Sequence, residues 1–228
     1  MNQSAAKSST WFHALPNGVR LLRSVAWFYV FNGVLVAPLG RRFWALRYRN
    51  EDPWNYTSSP YELGKYERTL RLLPTAPNAS GVHEYVLEVG CSEGVFTSML
   101  ARSGKVRSIL GVDVATKAIE RARLRCQPLS NVELRLGDVR ELTLEHPVSA
   151  VFCAEVLSHM RSWKNIRAIC EKLVSVLVPG GALLLVDSYP MGRFLHKPFR
   201  RNPSLRLMHR DVVQDSFRPY VISVFQRV

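Results

Sequence analysis

Short apolar runs alternate with amphipathic segments along the chain from residue 85 onward. The runs are rich in β-branched residues, as strands are, and the segments between them repeat apolar residues at helical spacing. This order is typical of a parallel sheet with crossover helices. We therefore predict an α/β fold with a Rossmann-like, doubly wound, mostly parallel sheet. The strands are expected at Tyr85–Val89, Val106–Asp113, Val132–Leu136, Val148–Ala154, Ala182–Asp187 and Tyr220–Phe225.

Two helices have specific support in the sequence. Between the fourth and fifth strands, apolar residues recur at helical spacing from Ile166 to Leu177, and Pro179-Gly180-Gly181 ends the helix. Upstream, Ser59 can cap a helix whose first position is Pro60, and Glu62 is expected to complete a capping box. A helix over residues 60–73 is therefore predicted, ending before Pro74.

The turn after the first strand is rich in glycine. Gly90-Cys91-Ser92-Glu93-Gly94 directly follows Glu88-Val89 and opens a helix. Glycines at such a turn let the backbone bend sharply and approach a ligand closely. The spacing lacks the full G-x-G-x-x-G pattern of dinucleotide sites. The loop therefore indicates a nucleotide-type cofactor without identifying it.

Acidic residues follow the next two strands. Asp113 ends the second strand, 23 residues after Gly90, where a carboxylate can accept from both ribose hydroxyls of an adenosine. NAD and S-adenosylmethionine (SAM) both satisfy this arrangement. After the third strand, Asp138 and Val139 lie where an adenine would bind, which is a contact expected in SAM enzymes. The glycine-rich turn and the two aspartate turns, in this order along the chain, therefore favour SAM over NAD.

These residues resemble the class I SAM-dependent methyltransferases. More narrowly, the chain is similar to the family of nodulation protein S N-methyltransferases, which methylate an amino sugar at the end of a chitin-type oligosaccharide. The resemblance runs from Asp52 to about Leu185. It is carried by Asp52-Pro53-Trp54, Ser59-Pro60-Tyr61-Glu62 with Lys65-Tyr66, Leu87–Ser92, Phe96-Thr97, Ala118–Arg123, Ala154–Leu157 and Leu177–Gly181.

The resemblance implies SAM as the cofactor and a contact for each part of it. The glycine-rich loop would support the methionine moiety, and the two aspartate turns would hold the ribose and the adenine. Trp54, Tyr61 and Tyr66 would form a lid over the methionine half. The full set of implied cofactor contacts is Trp54, Tyr61, Tyr66, Glu88, Gly90, Cys91, Ser92, Gly94, Asp113, Val114, Asp138, Val139 and Glu155.

The chain departs from the family at positions that this fold places beside the transferable methyl group. After Glu155-Val156-Leu157 the family often has two tyrosines, whereas this chain has Ser158-His159. The acceptor is therefore expected to differ from an amino sugar. Glu155 and His159 are the candidate catalytic residues, because either could orient or deprotonate an acceptor. A hydrogen-bonded structural role is the alternative for His159.

The net charge of +13 is concentrated in two segments. Residues 1–50 contain seven basic residues and residues 193–210 contain six, with no acidic residue in either segment. The remaining residues are balanced, with 18 basic and 18 acidic side chains. Clustered positive charge favours an anionic partner. We therefore expect an anionic acceptor that is a small molecule, a glycan or a lipid-linked compound.

An uncharged stretch with four aromatic residues occupies residues 24–40. Its 17 residues, interrupted by Gly33 and Pro38, are at the lower limit of the about 17–25 that span a bilayer. A pair of short packed helices is the simpler interpretation, and a helix lying on lipid headgroups is the alternative. No small-x-small cleavage site follows, so a secretory signal is not expected. We predict a cytoplasmic protein with peripheral membrane contact as a further expectation.

This distribution suggests one catalytic domain with an extension. The predicted domains are a basic, apolar extension at 1–50 and a methyltransferase domain at 51–228. The second contains the lid helix 60–73, the cofactor core 85–188 and a basic acceptor-side segment at 190–210.

Three other functions stay open on the sequence. A nucleic-acid methyltransferase is suggested by the pI of about 10.1, but the basic residues alternate with long apolar runs rather than polar ones, so nucleic acid is the less favoured partner. A SAM-binding protein without catalysis and an NAD-dependent oxidoreductase are the others. No metal is expected, since the four cysteines show no ligand spacing and methyl transfer needs alignment rather than a metal.

Overall fold

The computed structural model describes residues 41–160, 162–214 and 218–228, together with Leu22 and Ala26. Within these residues one seven-stranded sheet has the order β3-β2-β1-β4-β5-β7-β6. Its strands are β1 His83–Val89, β2 Val106–Asp113, β3 Val132–Leu136, β4 Val148–Ala154, β5 Leu177–Ser188, β6 Leu205–Val213 and β7 Tyr220–Arg227.

The sheet is mostly parallel, as the alternating pattern predicts. β3, β2, β1, β4 and β5 run parallel, and β7 pairs antiparallel with both β5 and β6. The central strands are continuous apolar runs because both of their faces are covered. The predicted Rossmann-like, doubly wound α/β class is confirmed.

Helices cover both faces of the sheet. One core contains Ile166, Leu195 and Phe199, and the other contains Tyr66 and Phe96. The helices are α1 Arg41–Arg47, α2 Pro60–Arg71, α3 Val95–Arg102, α4 Thr116–Cys126, α5 Trp163–Val176, α6 Gly192–Leu195 and α7 Lys197–Arg201, with short 3₁₀ turns at Val139–Glu141 and Leu157–His159.

Helix α2 begins where predicted, but its N-terminus is built differently. The Ser59 hydroxyl accepts from the Glu62 backbone N–H at 3.4 Å, as an N-cap does. The predicted capping box is wrong in its second half, because the Glu62 carboxylate does not bond back to Ser59. It instead binds Lys65 at 2.6 Å and Arg218 at 2.8 Å, since a buried carboxylate gains more from two cations than from one amide.

Strand β6 was not predicted from the sequence. It begins at the end of the basic 190–210 segment and continues to Val213, and its register shifts between Leu207 and His209. The shift breaks the alternation of apolar and polar positions, which is the pattern by which strands are recognised. Strand β5 also begins earlier than expected, at Leu177, and runs through the Pro-Gly-Gly sequence.

No helix among the described residues is long and apolar enough to cross a membrane. The uncharged stretch at residues 24–40 lies outside the described residues, apart from Ala26.

Candidate cofactor and acceptor site

A cavity lies at the carboxyl ends of β1, β2 and β4. The space is about 780 Å³ when counted out to open solvent. In an open parallel sheet, ligands bind at this edge, where the turns after neighbouring strands meet. The predicted site residues that line the cavity are Trp54, Gly90, Ser92, Asp113, Val114, Asp138, Val139, Glu155 and His159.

The turn after β1 brings the backbone against the cavity. Gly90 has φ +73°, and a Cβ there would lie 2.4 Å from Val156 Cγ2. A side chain at this position would therefore clash, and the left-handed conformation itself favours glycine. Ser92 also has a positive φ, of 52°, which turns its amide toward the end of β2. The loop is thus shaped for close approach by a ligand.

Asp113 is held at the end of β2 by backbone donors. Its carboxylate accepts from the N–H groups of Ser92 and Ala115, each at 2.9 Å. Burial raises the pKa of this carboxyl, and the backbone hydrogen bonds oppose that rise. A carboxylate has about four lone-pair positions, so these two bonds leave capacity for hydroxyl donors from a ligand.

Asp138 lies in the cavity wall but is engaged by its neighbour. Its carboxylate caps the 3₁₀ turn at Val139–Glu141 by accepting from the Arg140 N–H at 2.9 Å. The Arg140 guanidinium also pairs with it, with Nε 3.0 Å from Oδ1. Asp138 therefore shapes the turn that presents Val139, which is buried, to the cavity.

The cover of the cavity includes residues that sequence reasoning missed. Trp44, Tyr48, Tyr56 and Met160 line it together with Trp54. The Tyr48 hydroxyl is hydrogen-bonded to the Ser92 hydroxyl at 2.8 Å. The aromatic residues of the Arg41–Arg47 segment are the sequence feature that could have indicated this cover. They lie in the basic, apolar segment 1–50, which the sequence predicts as an extension.

An ion pair fixes this cover to the glycine-rich loop. The Glu93 carboxylate accepts from the Asp52 N–H at 2.9 Å and from Arg121 Nη1 at 2.6 Å. Arg121 also donates to the carbonyl of Asn50 at 2.9 Å. The Arg47 guanidinium lies 4.1 Å from the Trp54 ring centroid, a cation–π contact. The position of Trp54 therefore depends on the glycine-rich loop, which contributes Glu93.

Tyr61 and Tyr66, which were expected in the lid, do not line this cavity. The Tyr61 hydroxyl donates to the Arg218 carbonyl at 2.6 Å, and its ring packs on Tyr220. The Tyr66 ring stacks on Phe96 at 4.9 Å between centroids and is 9% exposed. Helix α2 points these rings along the sheet face, so the cover is formed by α1 and residues 52–56 instead.

Three residues of the glycine-rich segment are also set back from the cavity. Glu88 is buried, accepts from the Thr97 hydroxyl at 2.6 Å, and has its pKa raised to about 8 by burial. The Cys91 side chain lies close to Gly111, and Gly94, at φ +76°, is the N-cap of α3. These residues therefore support the loop from the side away from the cavity.

Glu155 lies at the end of β4 and is paired with a buried lysine. Its φ of +55° is unusual for a residue with a side chain, and such strain is often kept where function requires it. Lys65 Nζ, on α2, lies 3.0 Å from Glu155 Oε1 and 2.6 Å from Glu62 Oε2. Burial would raise the pKa of Glu155, but the Lys65 charge outweighs it and the pKa is lowered. Glu155 therefore stays ionised.

His159 lies against the aromatic cover. Its ring centroid is 4.9 Å from that of Trp44, edge to face, and 6.4 Å from that of Trp54. Burial lowers the pKa of His159 to about 4, and the negative charge of Glu155 only partly opposes this. The imidazole is therefore neutral at pH 7 and can accept a hydrogen bond.

A buried chain of polar residues lies behind the Leu157–His159 turn. His196 bonds Asp187 Oδ2 through Nε2 at 3.1 Å and the Ser223 hydroxyl through Nδ1 at 2.9 Å. Although the residue types are those of a hydrolytic triad, all three side chains are fully buried. This chain is therefore a structural link that joins β5, β7 and α6.

The described residues contain no group of three or more His, Cys, Asp or Glu side chains that could hold a metal ion. The four cysteines are buried and free. The chemistry of the site is thus carried by a carboxylate, a neutral imidazole, hydroxyls and backbone amides.

Known proteins similar to this chain include methyltransferases with two kinds of acceptor. Nodulation protein S of Sinorhizobium fredii (strain NBRC 101917 / NGR234) is 32% identical over 134 residues, which is 59% of each chain. A ubiquinone biosynthesis O-methyltransferase of Xanthomonas campestris pv. campestris (strain B100) is 36% identical over 103 residues, 44% of this chain and 41% of that protein. The chain thus matches less than two thirds of the length of either relative.

A solved structure shares the fold over most of its length. The N-methyltransferase NodS of Bradyrhizobium japonicum WM9, in complex with S-adenosyl-L-homocysteine, aligns with a TM-score of 0.72. The alignment covers 82% of this chain and 97% of that chain at 22% identity. The model of the nodulation protein S (NodS) family matches residues 45–189, which is more than half of the sequence. The chain therefore belongs to the NodS family.

Proposed function

We propose that this protein is a methyltransferase that moves a methyl group from SAM to the nitrogen or oxygen of a small-molecule acceptor. The observation that carries the proposal is the cavity itself, because one cavity is lined by all five of these predicted site residues: Gly90, Asp113, Val139, Glu155 and His159. Family membership supports the same reaction class, since the named relatives are N- and O-methyltransferases.

The cavity fits SAM in three respects. The backbone of the Gly90 turn lines the cavity, so the methionine part can lie against it there. Asp113 has lone pairs for the ribose hydroxyls, and Val139 presents an apolar surface to an adenine. Trp54 and Tyr48 would exclude water above it. When bound, SAM supplies an electrophilic methyl group on a sulfonium.

Glu155 and His159 are suited to position the acceptor. Glu155 is ionised and fixed by Lys65, and His159 is neutral, so each can accept a hydrogen bond from an amine or a hydroxyl. Two acceptors of hydrogen bonds that converge on one cavity can align a nucleophile, and alignment is the main contribution a displacement of this kind requires. The proton lost by the nucleophile would pass to one of these two groups or to water.

The positive charge of residues 193–210 supports an anionic acceptor, either a phosphorylated small molecule or a glycan, free or lipid-linked. The turn Leu157–His159, which carries one of the two proposed acceptor-positioning residues, packs against α6 at the start of this segment. We place the reaction in the cytoplasm, with peripheral contact of residues 24–40 to a membrane. Nucleic acid is not the proposed acceptor.

Two measurements test this proposal. Calorimetry should show SAM binding at micromolar concentration and no NAD binding. Methyl-labelled SAM incubated with the protein and fractionated cell extract should then label a small molecule detectable by mass spectrometry. Binding of SAM without labelling of any fraction would favour a non-catalytic SAM-binding protein, and labelling confined to RNA would favour a nucleic-acid methyltransferase.

A further inference from the structure

Three arginines come together beside the last strands of the sheet. Arg193 is on α6, Arg200 on α7 and Arg210 on the edge strand β6. Arg200 Nη2 donates to the Arg193 carbonyl at 3.2 Å, which brings the Arg200 side chain back over α6. Both of these side chains are exposed, whereas Arg210 is half-buried.

The bulge in β6 is what turns Arg210 toward the other two. Leu207 pairs with Phe225 and Arg210 pairs with Ser223, and these two β7 residues lie on one face of the sheet. With regular alternation, Arg210 would lie on the face opposite to Leu207, but the register shift places both on the same face. The Ser223 hydroxyl bonds His196, between α6 and α7, so this is the face that those helices cover.

Arg210 also has two hydrogen-bond donors with no acceptor among the described residues. These are Nε and Nη2, both buried. The two N–H groups point the same way along one edge of the guanidinium, and that edge binds two oxygens of a phosphate or carboxylate at once. Buried donors without partners are costly, so such a pair is usually explained by a bound ion or water.

The charges around Arg210 are positive. Burial, together with the positive charges of Arg200 and Arg193, lowers the pKa of Arg210, while the Tyr189 hydroxyl acts in the other direction. Three guanidinium groups held near one another repel, and a doubly negative ion between them would remove that repulsion. Tyr189 directly follows β5, so its hydroxyl belongs to a residue at the carboxyl edge of the sheet, where the cavity also lies.

We propose that Arg193, Arg200 and Arg210 form a binding site for a phosphate group of the acceptor. Arg210 binds two phosphate oxygens through Nε and Nη2, and the flexible side chains of Arg193 and Arg200 close on the remaining oxygens. The site rests on the proposed function for its role, because it would hold the acceptor while Glu155 and His159 align the nucleophile.

Titration of the full-length protein with pyrophosphate and with inorganic phosphate at low salt tests the site. We expect saturable binding that Arg210→Gln weakens by at least about tenfold, since a bidentate charge-assisted contact is lost. Arg210→Lys should also lose affinity, because lysine keeps the charge but lacks the paired donors. The matched control is Arg206→Gln on the same strand, whose guanidinium faces the other way and binds Gln226 at 2.7 Å.

The proposal is overturned if the wild-type protein does not bind either probe. It is also overturned if Arg206→Gln and Arg210→Gln weaken binding equally, because equal effects would indicate diffuse attraction by a basic surface. Unfolding midpoints of the variants separate loss of the site from loss of the fold. Competition between pyrophosphate and vesicles containing phosphatidic acid distinguishes a free phosphate ester from a lipid headgroup, and either result is consistent with a phosphate site.

This test is independent of the cofactor. SAM binding with no phosphate binding would refute the arginine site and leave the proposed methyltransferase intact. Phosphate binding that depends on Arg210, in a protein that does not bind SAM, would refute the methyltransferase and keep the site.

Discussion

Asp113 is the single residue whose removal most directly tests the cofactor assignment. It is held by two backbone N–H groups at the end of β2, so its carboxylate does not need to reorganise to accept ribose hydroxyls. We expect Asp113→Ala to weaken SAM binding by about 1.5–3 kcal/mol, because water replaces charge-assisted hydrogen bonds poorly. Calorimetry measures this, and Glu133→Ala on the exposed side of β3 is the control. An unchanged dissociation constant in a folded variant would remove Asp113 from the site.

His159 predicts a dependence of stability on pH. Its pKa is lowered to about 4 in the folded chain from an ordinary value of 6.5, so the unfolded chain binds the proton more readily. The folded state should therefore lose stability as the pH falls from about 6.5 to about 4. We expect the free energy of unfolding to fall by about 2 kcal/mol over this interval. This is less than the full lowering of the pKa would give, because the His159 side chain is partly exposed to solvent.

Urea unfolding at several pH values measures this loss. His159→Gln keeps a hydrogen-bonding side chain but does not titrate, so its stability should change less over the same interval. Identical pH profiles for the two proteins would show that His159 is not the group responsible.

Among single residues, the sequence best predicted those whose place follows from the order of the strands in the sheet. Four predicted site residues lie at or shortly after the ends of four neighbouring strands: Gly90, Asp113, Val139 and Glu155. The carboxyl ends of parallel strands meet at one edge of the sheet. Trp44 and Tyr48 could not be found in this way, because no strand order links α1 to the cavity. Their place depends on long-range contacts such as the Tyr48–Ser92 hydrogen bond.

Helix α2 contacts the site through a buried lysine. The ammonium of Lys65 is 2% exposed and bridges the carboxylates of Glu62 and Glu155. Sequence periodicity indicates which helix face is buried, but it does not show that a buried position holds a charge, since burial of a lysine needs partners from elsewhere in the chain. The spacing of Glu62 and Lys65, three residues apart, was the only local sign.

Lys65→Met should therefore affect both stability and the site. Removal of the ammonium leaves two carboxylates without their shared partner, so we expect a loss of about 3 kcal/mol in the free energy of unfolding. The pKa of Glu155 should rise, and turnover should decline at a higher pH than in the wild-type protein as the pH is lowered.

Denaturant unfolding and a pH–rate profile measure the two effects. Lys117→Met on the exposed side of α4 is the matched control, because Lys117 pairs with Glu120 at the protein surface. A variant with lower stability but an unchanged pH–rate profile would limit Lys65 to a structural role.

Some strands can be predicted from the local sequence pattern, whereas strand β6 cannot. β2, β3 and β4 were predicted at their observed boundaries: β4 is a buried run of mostly apolar residues, and β3 alternates apolar with charged residues, so both patterns are visible in the sequence. β6 is an edge strand with exposed Arg206, Leu207 and Met208 and a bulge, so neither alternation nor burial marks it. Basic residues and bulges on an edge strand also protect it from pairing with other chains, which is the structural role these residues have without a ligand.

Across the whole molecule, charge is divided between a balanced body and two basic segments. One segment, residues 193–210, lies on α6, α7 and the first part of β6. The other ends in α1, which carries Trp44 over the cavity. The sequence predicts both the excess charge and its division between two segments, and the structure adds that Trp44 of the first segment lines the cavity and that α6 of the second packs against the Leu157–His159 turn.

Residues 1–40 provide the last prediction, which concerns the membrane. They contain three basic residues and the uncharged aromatic stretch, and Arg41 and Arg42 follow directly. A basic residue near an anionic surface contributes about 1 kcal/mol, and burial of aromatic side chains at the interface adds to this. We expect the full-length protein to sediment with anionic vesicles and not with neutral ones.

The salt dependence and a deletion distinguish this from nonspecific attraction. Screening shortens the range of surface charges to ~10 Å at 0.1 M salt, so added salt should weaken the interaction. Deletion of residues 1–40 removes the apolar stretch but keeps Arg193, Arg200 and Arg210, so it should abolish sedimentation and leave pyrophosphate binding unchanged. If the full-length protein stays in the supernatant with anionic vesicles at low salt, residues 24–40 do not contact a membrane, and the acceptor must then reach the cavity from solution.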